Sequence, residues 1–320
     1  MDLFDTFWEN FAPEKYPIQR DGIVEENLIT KLKDWHLEDK AFLLPFYDFK
    51  LDAGVPFTEV MSFVESGGKR LRWFVNRWAL GSAPDGEVRI SEATAYKVDL
   101  FCLRRRLYEQ QALESSIIEL LDPLDELRRS GLDGKISEEE LYEILKHVFL
   151  TSACLEIYDD ADSGKKKRGR PPWQSQRNFS PYPEMVTRPA VLDDGSDEEI
   201  TQYRIRINEQ FLDLMLSVPF VVFDWEYMKN FEAEQLRFCE LTNLLRAVSA
   251  DGWSDTLEID YRRFAQLMPL PVPEKFSQVK RQIGELCAGH LEKGFLEKYK
   301  VIKSKDATDP DNPRLVFTFA

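Results

Sequence analysis

"PEKFSQVKRQIGELCAGHLEKGFL", residues 273–296, places Phe276, Val279, Ile283, Leu286 and Leu291 at the spacing of one buried helix face. Gln278, Lys280, Arg281, Gln282 and Glu285 fall on the side left to solvent. Working outward, "YRRFAQLMPL" (261–270) predicts a short helix stopped by Pro269 and Pro271, and "TLEIDY" (256–261) a short strand. Before them, "DWEYMKNFEAEQLRFCELTNLLRAVS" (224–249) sets Leu236, Cys239, Leu241 and Leu244 on an apolar stripe, with Leu245 and Val248 beside it. After them, "FLEKYKVIKSKDATDPDNPRLVFTFA" (295–320) reads as two strands around a turn at Asp309, Pro310, Asn312 and Pro313.

Helix, strand, helix, helix, hairpin is the element order of a winged-helix domain, whose second paired helix is the one placed in a major groove. Lys275 and Lys280 on that helix, with Lys298, Lys300, Lys303 and Lys305 on the hairpin, suit phosphate contacts. Gln278, Arg281 and Gln282 suit base edges, since arginine pairs with guanine and glutamine with adenine. A basic helix face alone is more often a solvated surface. The complete element order, with cations on both helix and hairpin, is what favours duplex DNA.

Upstream the signals are weaker. "FTEVMSFVESGGKRLRWFVNRWALG" (57–81) spaces Val60, Phe63 and Val64, then Phe74, Val75 and Trp78, as two helices parted at Gly67-Gly68. "SEATAYKVDLFCLRRRLYEQQ" (91–111) predicts a helix entered at Ser91 with Glu92 in its first turn. In "LDGKISEEELYEIL" (132–145), Asp133, Gly134, Ile136 and Glu140 fall at calcium-loop spacing. Arg129 and Gly131 occupy the first and third coordinating positions, so no calcium is expected. Ser137 and Glu140 instead form a capping box opening a helix over 138–148. "TSACLEIYDD" (151–160) and "ITQYRIRIN" (200–208) alternate as strands and are expected to pair as a hairpin. Its tip, 160–200, is rich in Asp, Gly, Pro, Ser and Lys and is expected to be disordered. The expected division is a helical extension over 1–56, a first domain over 57–207 and a C-terminal winged helix over 208–320.

On that tip lies "GKKKRGRPP" (164–172), with Lys165, Lys166, Lys167, Arg168 and Arg170 around Gly169. Its Arg-Gly-Arg-Pro core, ending at Pro171, is similar to an AT-hook. Gly169 would let the backbone approach a narrow minor groove, where Arg168 and Arg170 meet concentrated negative potential. Pro171 and Pro172 keep the segment extended. A solubilising loop or a localisation tag is the competing reading.

"YRIRINEQFLDLML" (203–216), "FVVFDWEYMKNFEAEQLRFCELTNLLRAV" (220–248), "IDYRRFAQLMPL" (259–270) and "SQVKRQIGELCAGHLEKGFL" (277–296) resemble the second winged-helix domain of plasmid replication initiator (Rep) proteins. The resemblance covers roughly residues 200–320; residues 1–130 match no motif of that family. It implies a mainly α fold with small β-hairpins, an α+β class built on tandem winged-helix domains. The helix 138–148 and strands near 153–158 and 201–207 would end the first domain. It further implies binding to repeated sites beside AT-rich double-stranded DNA, a homodimer formed through the first domain, and host replication proteins as partners.

The totals narrow the rest. With 57 Asp+Glu against 42 Lys+Arg, the net charge of −15 disfavours a nonspecific nucleic-acid coat. Charges beyond ~10 Å are screened, so a local basic face survives that sum. Cys102, Cys154, Cys239 and Cys287 are scattered, as in a reduced cytoplasmic protein, here expected to be nucleoid-associated. No signal peptide and no membrane span is evident. "SGGKRL" is no phosphate loop, and His36, His147 and His290 form no metal pair. No metal, cofactor or catalytic step is expected. A transcriptional regulator, or a winged helix that binds protein, remains open beside the initiator.

Overall fold

A computed structural model describes residues 8–15, 47, 57–64, 69–76, 92–108, 115–129, 136–159, 174–191, 199–208, 224–247, 253–268, 270–304 and 312–320. They fall into two compact units, one holding the described residues up to 208, the other those from 224 onward. Helices and small antiparallel sheets make an α+β fold of two winged-helix-like units.

The first unit opens with β1 (Phe57–Val64) and β2 (Lys69–Asn76), paired antiparallel from Phe57↔Asn76 to Val64↔Arg70. Two helices were expected here. The apolar spacing fits a helix, but Thr58, Val60, Val64 and the aromatic residues favour the pleat, and a Gly-Gly pair in sequence signals a hairpin turn as readily as a helix break. Next comes α1, Glu92–Val98, continued through a π-helical stretch, Asp99–Arg104, and Arg105–Tyr108. β3 (Ile117–Leu120), α2 (Pro123–Arg129) and α3 (Glu138–Leu150) follow. The Ser137 hydroxyl accepts from Glu140 N–H at 3.1 Å, and Glu140 Oε2 accepts from Ser137 N–H at 2.8 Å, the expected capping box.

β4 (Ser152–Asp159), β5 (Gln174–Phe179), β6 (Glu184–Val191) and β7 (Glu199–Arg206) complete the unit. The expected hairpin between the strands near 153–158 and 201–207 does not form. β4 pairs with β2 and β5 in a sheet ordered β1-β2-β4-β5, while β7 lies between β3 and β6. Alternation marks both as strands but says nothing about distant partners. Within the expected disordered tip, Gln174–Phe179 and Glu184–Val191 are also strands. Without the strands of the β1-β2-β4-β5 sheet, the order is α1, β3, α2, α3, β6, β7, a winged helix with sheet order β3-β7-β6.

Two features hold this unit together. Buried Asp99 accepts from the Tyr182 hydroxyl at 2.6 Å, the Tyr47 hydroxyl at 2.9 Å and Arg104 Nε at 2.8 Å. Burial first, and then the Asp99 charge, push the Tyr47 hydroxyl pKa well up, keeping it a donor. The other is Trp8, 2% exposed, whose ring lies 4.2 Å from the Arg204 guanidinium carbon and 4.6 Å from that of Arg188.

The second unit runs α4 (Trp225–Met228), α5 (Ala233–Ala247), β8 (Thr256–Asp260), α6 (Tyr261–Leu267), α7 (Phe276–Glu292), β9 (Leu296–Ile302) and β10 (Arg314–Phe319). Its sheet order, β8-β10-β9, is again that of a winged helix. Phe238, Phe264 and Phe317 meet at centroid distances of 5.2–6.1 Å in the core. Each such buried ring contributes about 1.5–3 kcal/mol. His290 on α7 is fully buried; its Nε2 lies 3.1 Å from the Gln235 carbonyl and its Nδ1 2.7 Å from the Tyr227 hydroxyl. A carbonyl only accepts, so Nε2 carries the proton and Nδ1 accepts from Tyr227.

Asp99→Ala removes the acceptor shared by Tyr47, Tyr182 and Arg104. A loss of about 3–5 kcal/mol in urea unfolding is expected. Burial lowers the His290 pKa from 6.5 to about 4, with Lys293 adding to the fall and the Gln235 bond opposing it. The unfolded chain therefore binds the extra proton first as pH drops. This stability is complete above pH 6.5 and lost towards pH 4, roughly 3 kcal/mol in all. His290→Gln should flatten that slope in denaturant titrations between pH 7 and pH 4.

Candidate nucleic-acid interface

α7 presents the predicted surface because both of its ends are pinned. At the start, the Lys275 amide donates to Gln278 Oε1 at 3.3 Å, and the Gln278 amide to the Lys275 carbonyl at 2.9 Å. At the end, Gly294 takes φ 75°, and the Phe295 amide returns to the His290 carbonyl at 2.9 Å. Along its length Val279, Ile283, Leu286, Cys287 and His290 are buried, which fixes the rotation of the helix. Gly284 lets β9 come close, since a Cβ there would stand 3.1 Å from the Tyr299 hydroxyl oxygen.

Lys275, Gln278, Lys280 and Arg281 are all exposed on the N-terminal half of α7. Phe276, expected in the core, is only half-buried and serves another purpose. Lys280 Nζ lies 5.1 Å from its ring centroid and Lys303 Nζ 5.4 Å, so one aromatic face gathers a helix cation and a hairpin cation. Arg281 faces Glu285 at 3.9 Å, an exposed pair worth under about 1 kcal/mol and easily exchanged for a phosphate. The carboxylates of this helix, Glu285 and Glu292, lie in its C-terminal half.

Gln282 stands apart. Its Oε1 accepts from the Tyr261 hydroxyl at 2.5 Å and its Nε2 donates to the Pro271 carbonyl at 3.2 Å, so both ends of the amide are spent within the unit. Burial pushes the Tyr261 hydroxyl up to about 12. Gln282 thus braces the 271–275 approach to α7.

The hairpin lysines divide. Lys303 joins the α7 surface. Lys298 and Lys300 pair in register with Thr318 and Val316, alternating with the buried Phe317, and so project from the outward side of the sheet. Lys300 also borders a groove of about 670 Å³ beside the edge strand, lined by Lys280, Tyr299, Lys300, Val301 and Ile302. Lys165, Lys166, Lys167, Arg168, Gly169, Arg170, Pro171 and Lys305 lie outside the described residues.

Sequence reasoning passed over Arg262 and Arg263, both exposed on α6 between buried Tyr261 and Phe264. The signal was present in "YRRF". The Arg262 amide donates to Asn312 Oδ1 at 3.0 Å, and the Tyr261 amide to the Pro313 carbonyl at 2.8 Å, tying the start of α6 to the hairpin. Among the described residues, no group of three or more His, Cys, Asp or Glu is placed to hold a metal, and no helix is long and apolar enough to cross a membrane.

Gly294→Ala tests how the helix end is set. No atom lies within 4 Å of the added methyl, so the penalty is the left-handed backbone alone, about 1–2 kcal/mol in thermal or urea unfolding.

No family model matches the chain, and no curated protein matches it. Among solved structures it is similar to a selenomethionine derivative of domains 2 and 3 of RctB, at 12% identity and TM-score 0.48, over 90% of this chain and 98% of that one. A second structure of RctB domains 2–3 aligns at 11% identity and TM-score 0.42, over 89% and 96%. The Pi initiator protein in complex with iteron DNA aligns at 9% and 0.40, over 71% and 95%. Likeness at this level transfers no residue role and no ligand.

Proposed function

We propose that the chain binds double-stranded DNA, with the N-terminal half of α7 entering the major groove. The observation that carries this reading is the cluster around Phe276, where Lys280 and Lys303 flank one ring beside exposed Lys275, Gln278 and Arg281. Recognition helices present their N-terminal residues to base edges, and here that half holds Lys280 and Arg281 while the carboxylates within the helix, Glu285 and Glu292, lie beyond it. Gln278 and Arg281 read bases; Lys275, Lys280 and Lys303 hold phosphates. Arg262 and Arg263 on the preceding helix suit the adjoining backbone. The run at 164–171 adds a minor-groove contact at AT-rich sequence, and Lys305 a further phosphate contact.

The finer reading is replication initiation at a plasmid or phage origin, by binding without chemistry of its own. Its support is the sequence resemblance of residues 200–320 to Rep proteins. A homodimer and host replication proteins as partners belong to the same reading.

Arg281→Ala is expected to weaken binding to a specific duplex by about 1–3 kcal/mol while leaving scrambled duplex nearly unchanged. Lys280→Ala should weaken both alike and lower the salt slope by about 1. Fluorescence anisotropy over a salt series reads both effects. No binding to any duplex at low salt would overturn the reading in favour of a protein-binding winged helix.

A further inference from the structure

The outward faces of the two winged-helix sheets carry one chemical pattern twice. In the first, antiparallel register aligns Glu119 on β3, Arg204 on β7 and Val186 on β6. In the second, it aligns Asp260 on β8, Arg314 on β10 and Ile302 on β9. An acid, an arginine and a branched aliphatic residue thus form a row across each sheet, on the side away from buried Tyr203 and Ile205 or Leu315 and Phe317. Each arginine also meets a carboxylate of the first strand: Arg204 to Glu119 at 2.7 Å, Arg314 to Glu258 at 3.3 Å.

What differs is the cover. Over the first row lies Trp8, stacked on Arg204 and Arg188, with its carbonyl accepting from Arg204 Nη1. The Arg204 and Glu119 side chains keep only 12% and 28% of their exposure, against 61% and 55% for Arg314 and Glu258. Ile302 is 42% exposed, and Lys298 and Lys300 are exposed on the same face, Lys298 with an exchangeable surface pair to Glu297 at 3.1 Å. Among the described residues nothing covers that face.

We infer that the outward face of the β8-β10-β9 sheet docks an acidic protein segment with an aromatic anchor, supplied by a partner protein. The anchor seats over Arg314 as Trp8 seats over Arg204. Ile302 and Val316 offer apolar contact beside it, and Lys298 and Lys300 meet the flanking carboxylates. The first unit supplies the template: Trp8 is flanked by Asp5 and Glu9 in "DTFWENF" (5–11). Charge on the face separates this occupant from a duplex. Asp260 and Glu258 line β8 on the same side and repel a phosphate backbone, while a single extended segment fits along β9 and β10 alone. This site meets the α7 surface at the groove that Lys280 shares with Lys300 and Ile302, and does not rest on DNA binding.

The probe is a labelled synthetic peptide of residues 1–15 of this chain, titrated into the full-length protein by fluorescence anisotropy. Saturable binding is expected, weakened about tenfold or more by Arg314→Ala and by Trp8→Ala in the peptide. Affinity for duplex DNA should stay within about twofold in the protein variant. Ile302→Glu alone, on an exposed edge strand, serves if the Arg314 variant does not fold. Absence of peptide binding, binding indifferent to these substitutions, or a fall in duplex affinity like that of Lys280→Ala would each overturn the inference.

Discussion

The rotation of α7 about its own axis governs the second unit. Val279, Ile283, Leu286, Cys287 and His290 face inward, and every exposed residue takes its direction from them. Burying such a stripe is worth several kcal/mol, with about 1.5–3 for each large apolar side chain, against under about 1 for the Arg281–Glu285 pair. The apolar side therefore decides where the cations point. His290 adds directionality that hydrocarbon cannot, because its two nitrogens are committed to different elements.

Much of this was legible because it is local. The α7 stripe, the short α6 and the Ser137 capping box all rest on residues within about one or two helical turns, where periodicity and capping rules apply. Failures came where partners are distant. Val60, Phe63 and Val64 fit a helical face as well as a strand, and only the pairing of β1 with β2 resolves the ambiguity. Gln282 reads as a solvent-facing polar residue on a helical wheel, yet Tyr261, twenty-one positions earlier, takes up its carbonyl oxygen. Lys298 and Lys303 look equivalent in a basic hairpin, but Lys298 pairs in register with Thr318 within the sheet while Lys303, beyond the end of β9, reaches the Phe276 ring.

The two units repeat an order of elements without repeating its chemistry. The third helix of the first unit begins with Glu138, Glu139 and Glu140, where its counterpart begins beside Lys275 and carries Lys280 and Arg281. Glu140 is used in the cap and Glu138 accepts from the Thr201 amide, so part of that acidity is structural. A polyanion approaching there meets carboxylates in place of ammonium groups. The same backbone plan thus offers opposite electrostatics to a partner.

The β1-β2-β4-β5 sheet has a kinetic consequence. Its first hairpin can close early, but β2 pairs with β4 from Lys69↔Asp159 to Asn76↔Ser152, with α1 to α3 spelled out in between. Loop-closure entropy must be met before that pairing is rewarded, so this contact is slow and late relative to the helices. During synthesis the hairpin waits with an unpaired edge until the ribosome has released residue 159 and beyond. Any translational pause in that window prolongs the exposure of β2, and chaperone capture or misassembly of nascent chains would concentrate there.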